Sequence, residues 1–187
     1  MTSSRCSERC KQSPEFYSRY GPYEIPRYLP FEKKDLKDAW ASIDDDVGAE
    51  LSWAQGAYIF SLRNGRNYKP LYVGITKHQG FRAEVFNPTN KVKILRDWAD
   101  MKGTLILHLL AKPKGVHNGF SVGISEEWLR SLEVLLIFMC RRKNSKLSNK
   151  MHTKLLDGIG IDGITNTTKK LGKPRGAVAT LRNALWW

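Results

Sequence analysis

The stretch Gly56-Ala57-Tyr58-Ile59-Phe60-Ser61-Leu62, followed by Arg63-Asn64-Gly65-Arg66-Asn67 and then Leu71-Tyr72-Val73-Gly74-Ile75, decides the fold. Its two flanks are short runs rich in β-formers, and Asn64-Gly65 between them is a strong hairpin signal. Downstream, residues 80–86 and 90–101 read as helical, separated by the breaker Asn87-Pro88. The second of these sets Val92, Leu95, Trp98 and Met101 on one stripe. Thr104 to Leu110 reads as a third strand and residues 112–124 as a glycine-containing loop. Residues 126–142 make the strongest helix, with Ser125 as N-cap, Glu126 and Glu127 in the first turn and Arg141-Arg142-Lys143 at the end. This order predicts a mixed α/β fold: a small three-stranded antiparallel sheet flanked by helices, with N- and C-terminal extensions.

Upstream, residues 1–30 read as irregular, because Pro14, Pro22, Pro26 and Pro30 break any helix. Tyr17, Tyr20, Tyr23 and Tyr28 suggest that this segment lies against something apolar. Residues 31–43 have helical spacing through Phe31, Leu36, Trp40 and Ile43, and Asp44-Asp45-Asp46 with Gly48 marks a break. The organisation expected is an N-terminal extension over 1–53, a core over 54–151 and a basic C-terminal extension over 152–187.

The 187 residues carry 31 Lys and Arg against 18 Asp and Glu, a net +13. Residues 1–55 hold 8 basic and 10 acidic side chains, whereas residues 56–187 hold 23 and 8. The positive excess therefore lies entirely in the second part, which points to a polyanionic partner. RNA, DNA and an anionic membrane all satisfy that charge. The membrane is the weakest of the three, because no basic amphipathic helix with a Trp/Leu face stands out. No run approaches the about 18 to 20 apolar residues that span a bilayer, and Met1 to Lys11 has no apolar core of a secretory signal. Cys6, Cys10 and Cys140 cannot close a disulfide framework, so the expected compartment is reducing: cytoplasm, nucleoid or nucleus. The histidines 78, 108, 117 and 152 have no zinc-like spacing with those cysteines.

One residue breaks the pattern of helix 126–142. Leu129, Leu132, Leu136, Ile137 and Cys140 form its apolar stripe, and Glu133 falls inside it. Burying a carboxylate without a partner costs several kcal/mol, so Glu133 calls for an arginine, a lysine or a metal ion. A buried salt bridge and a catalytic or metal-binding carboxylate both satisfy it. Tyr58 and Tyr72, on the two hairpin strands, are phenols able to bind a phosphate oxygen or position a water. Arg82, ten residues after Tyr72, offers a planar fork suited to phosphate.

Taken together, these residues resemble the GIY-YIG nuclease family. The first motif stands as Gly56-Ala57-Tyr58, with alanine for the usual isoleucine, and the second as Tyr72-Val73-Gly74. Arg82 is similar to the family's helical arginine, Glu133 to its metal-binding glutamate, and Asn149 in Leu147-Ser148-Asn149-Lys150 to its late asparagine. The resemblance covers residues 54–151. It implies metal-assisted phosphodiester hydrolysis with one Mg²⁺ or Mn²⁺ held by Glu133. It further implies that Tyr58 activates or orients water, that Tyr72 hydrogen-bonds nearby, and that Arg82 stabilises phosphate charge. Gly74 would allow close approach of backbone and substrate, and Asn149 would fix a phosphate or orient Glu133. Magnesium needs only one or two carboxylates plus phosphate and water. Two departures matter. The loop between the motifs is longer than in many members and carries Arg63 and Arg66. Phe86 stands four residues after Arg82, where many members place histidine or tyrosine, which shifts weight onto Tyr58, Lys77 or His78.

Candidate nucleic-acid contacts are Arg63, Arg66, Lys77, Lys91, Arg141, Arg142, Lys146 and Lys150, with Lys154, Lys169, Lys170, Lys173 and Arg175 further on. Such contacts supply salt-dependent affinity without sequence readout. The function expected is a metal-dependent endonuclease acting on DNA, double-stranded by preference, with oligomeric state open. The alternatives are a weak or inactive nucleic-acid-binding module on the same fold, and a structural basic protein of a ribonucleoprotein particle in which Glu133 is merely paired.

Overall fold

The structure is a computed structural model, and it describes residues 16–26, 32–47, 50–114 and 119–151. The basic C-terminal stretch 152–187, the lysines and Arg175 within it, Cys6, Cys10, His117, Phe31 and Gly48 lie outside the described residues. Among the described residues four strands form one antiparallel sheet: β1 (Ser18–Ile25), β2 (Gly56–Asn64), β3 (Asn67–Ile75) and β4 (Thr104–Ala111), in the order β1-β4-β2-β3. The mixed α/β class is as expected, but the sheet has four strands rather than three. The added strand, β1, comes from the stretch that reads as irregular. It is an edge strand, where proline is tolerated. Its register against β4 shifts between Tyr20 and Tyr23, so no simple alternation marks it.

Two apolar layers sandwich the sheet. On one face lie α1 (Lys33–Val47), a 3-10 turn (Leu51–Trp53), α2 (Phe81–Glu84) and α3 (Pro88–Val92). They enclose Trp40, Leu51, Phe60, Phe81, Ile94, Trp98 and Leu107. On the other lies α4 (Glu126–Lys143), which buries Leu129, Leu136, Ile137 and Cys140 against Ala57, Val73 and Ile75. Ser125 caps α4 by accepting from the Trp128 N–H at 3.3 Å, as its sequence demands.

Helix α1 runs through the three aspartates instead of stopping before them. Asp44 is a connector: its carboxylate accepts from the Ser52 N–H at 2.7 Å and the Ser52 hydroxyl at 2.6 Å, tying the helix end to the 3-10 turn. The expected helix 90–101 also differs. Asn87 caps α3 by accepting from the Asn90 N–H at 2.9 Å, and Lys93–Asp97 then widens into a π-turn, closed by Trp98 N–H to the Lys93 carbonyl at 3.0 Å. The extra residue rotates the apolar face. Asn90, Ile94 and Trp98 point inward, whereas Val92 and Leu95 of the expected stripe are 53% and 42% exposed.

Candidate active site

A β-bulge assembles the tyrosines. Phe60 pairs with Tyr72 and Ser61 with Pro70, so Leu71 is the unpaired extra residue. Alternation breaks there, and Leu71 and Tyr72 both pack against the α1–α3 face. Tyr72 thereby joins Tyr58, with ring centroids 6.2 Å apart. Tyr58 lies directly opposite Gly74. A β-carbon on residue 74 would overlap the Cζ and hydroxyl of Tyr58. The glycine that the resemblance assigns to substrate approach is thus filled by the Tyr58 ring.

Tyr58 is buried, and burial, more than any other cause, pushes its phenol far above the ordinary tyrosine range. Tyr72, Glu84 and Glu133 push in the same direction. Its oxygen accepts a hydrogen bond from Asn90 Nδ2 at 2.8 Å. The same amide nitrogen donates to the carbonyls of Val85 at 3.0 Å and Glu84 at 3.3 Å. The Tyr72 ring packs beside Tyr58, tilted by 52° to it. Asn90 thus holds the enclosed phenol, whereas Tyr72 is only half-buried and is the phenol that a molecule arriving from solvent meets. Burial first, and the Glu133 charge second, raise the Tyr72 pKa. The Lys93 ammonium sits 3.4 Å from the Tyr72 ring centroid, and burial lowers its pKa.

Glu133 is half-buried on α4, and its charge acts on both phenols. Glu84 acts on the same pair. Among the described residues no three His, Cys, Asp or Glu side chains gather as a metal-binding group. The carboxylates whose charge reaches the tyrosines are Glu84 and Glu133, beside the phenols' own oxygens. That set fits a hard divalent ion that keeps most of its shell as water and substrate phosphate.

The other expected site residues separate from this cluster. Asn149 engages the β3 edge: the Val73 N–H donates to its Oδ1 at 2.9 Å, and its Nδ2 donates to the Val73 carbonyl at 2.7 Å. Asn149→Ala is therefore expected to lower stability by about 1–2 kcal/mol, read as a fall of a few degrees in thermal melting. A variant that melts like the parent would detach Asn149 from that role. Arg82 lies over the Trp53 ring, 5.6 Å from its centroid, on the wall of a cleft that also holds Lys77 and His78. Phe86 is buried between Trp40 and Phe60. Arg63 is ion-paired with Glu24 of β1. Arg66, Lys77, Arg142, Lys146 and Lys150 are exposed, and Lys91 and Arg141 are half-buried. Burial pushes the Cys140 thiol up to about 11, which leaves it unreactive.

Three participants escape sequence reading. Asn90 opens a stretch that reads as helical without belonging to its apolar stripe, Glu84 looks like an ordinary helix-surface charge, and Lys93 is one lysine among many. The only signal is a polar residue, Asn90, at a position the π-turn makes internal. No helix among the described residues is long and apolar enough to cross a membrane. No protein-family model, curated protein or solved structure matches the chain.

Proposed function

We propose that this protein is a metal-dependent endonuclease of GIY-YIG type that hydrolyses phosphodiester bonds in DNA. The reading rests on one observation above all: Tyr72, backed by Tyr58 and Asn90, stands under the charge of Glu133 at the open end of a buried phenol pair. Glu133 would hold Mg²⁺ or Mn²⁺, with Glu84 the other carboxylate whose charge reaches Tyr72. The ion, when bound, neutralises charge on the phosphate and its leaving oxygen. Asn90 holds Tyr58, and Tyr72 packs beside the Tyr58 ring. Tyr72 orients the attacking water, a role better suited to it than to the enclosed Tyr58. Lys93 supplies positive charge beside Tyr72, and the exposed Arg142, Lys146 and Lys150 track the backbone.

The test is conversion of supercoiled plasmid to nicked circles in Mg²⁺ and in EDTA, with Tyr72→Phe alongside. Nicking is expected in Mg²⁺ only, and the variant is expected to be slower by about 10²-fold. Salt-sensitive binding with no nicking in either ion would replace this reading with the binding module. A fully active Tyr72→Phe would remove Tyr72 from the chemistry.

A further inference from the structure

Helix α2 divides two surfaces. Glu84 acts on the tyrosines, whereas Arg82 walls a separate cleft of about 890 Å³, the size of a nucleotide site. The floor of the cleft is held by Gln55, a buried side chain that staples both rims. Its Nε2 donates to the Lys77 carbonyl at 3.2 Å, and its Oε1 accepts from the Gly123 N–H at 2.7 Å and the Ile124 N–H at 3.0 Å. The walls are unusual for a surface. Trp53 is 57% exposed and Val122 73% exposed, and Lys77, His78 and Arg82 stand around them. No carboxylate lines the cleft among the described residues. An indole left in water beside cations, in a pre-set slot, suits a flat π-surface that carries a phosphate. It does not suit an apolar side chain, which has no use for the cations, or a free anion, which has no use for the indole.

We propose that this cleft takes an unpaired nucleobase of the DNA substrate, stacked on Trp53, with Arg82 and Lys77 on its flanking phosphates. The inference rests on the nucleic-acid reading above and narrows it to DNA that offers an extruded or bulged nucleotide. Stacking of a base on an aromatic side chain is worth about 1–3 kcal/mol, or roughly 5- to 150-fold in affinity. Fully paired duplex keeps its bases inside the helix and gains nothing from the slot.

The experiment is fluorescence anisotropy of the full chain, without metal, on three labelled DNAs: a paired duplex, a duplex with one bulged nucleotide, and the same bulge made abasic. The abasic site keeps the phosphate and removes only the base. The parent protein is expected to prefer the base-bearing bulge by about tenfold over the abasic one. Trp53→Ala is expected to erase that preference while binding paired duplex as before, and Trp53→Phe to keep most of it. Equal affinity of the parent for the two bulges would overturn the proposal, as would a preference that survives Trp53→Ala. Absence of all DNA binding would end both this inference and the nuclease reading. A Trp53-dependent preference without Mg²⁺-dependent nicking would leave the cleft assignment standing and end the nuclease reading alone.

Discussion

Gly56→Ala is expected to cost about 4 kcal/mol, among the largest effects a single methyl group can have, and to lower Tm by about 10 °C for a chain of this size. Residue 56 opens β2, opposite Ala111 of β4. A β-carbon there would fall on the Leu110 carbonyl oxygen and lie 3.1 Å from Cζ of the buried Phe81. Neither neighbour yields cheaply. The carbonyl belongs to the central β2–β4 ladder, and Phe81 is fully enclosed. Residue 56 is also clamped by Thr76: its N–H donates to the Thr76 hydroxyl at 2.8 Å, and its carbonyl accepts the Thr76 N–H at 2.9 Å. Relief by sliding the strand would break those bonds too. Thermal unfolding followed by circular dichroism reads the effect. A melting point within two or three degrees of the parent would mean that β2 and β4 do not approach this closely.

Glu133→Gln is expected to give the largest loss of activity, about 10²- to 10³-fold in the rate of plasmid nicking, the range seen when a single charge-stabilising group is removed. The substitution keeps shape and removes charge. Affinity for DNA measured in EDTA is expected to hold or rise, because a negative charge leaves the phosphate-binding face. The Glu133 charge raises the pKa of Tyr72 and Tyr58, so removing it lets both phenols ionise at lower pH. Ultraviolet titration of the tyrosines should therefore shift toward neutral pH in the variant. Unchanged nicking would end the assignment of Glu133 to the metal. Affinity lost in step with activity would make it a structural residue.

Much of this arrangement is legible in the sequence, for local reasons. The hairpin announces itself through Asn64-Gly65, and α4 through its cap, its stripe and its terminal charges. Tyr58, Tyr72 and Glu133 stand out because each is a polar group on an element that otherwise buries apolar ones. What escapes is set by non-local geometry. β1 hides behind Pro22 and a shifted register, which only an edge position tolerates. The π-turn moves Asn90 inward by one residue that no periodicity reveals. The bulge at Leu71 decides that Tyr72 faces Tyr58, and a strict two-residue alternation cannot contain it. The Arg82 cleft needs Trp53, nearly thirty residues earlier in the chain, and Val122, forty residues later.

The placement of β1 bears on how this protein survives its own synthesis. β4 reads Thr-Leu-Ile-Leu-His-Leu-Leu-Ala, uncharged and almost wholly apolar, the composition of a segment prone to cross-β stacking. In the sheet it is an inner strand, with β2 on one side and β1 on the other. β1 itself makes a poor template, since Pro22 withholds a donor and the register shift bends the ribbon. The opposite edge, β3, is covered by the run from Asn144 to Asn149. Asn144 donates to the Pro70 carbonyl, the Ser148 N–H to that of Leu71, and Asn149 engages Val73. The sheet thus shields its stickiest ribbon with its least adhesive one. β1 precedes β4 along the chain, so β4 has a partner already made when it is synthesised.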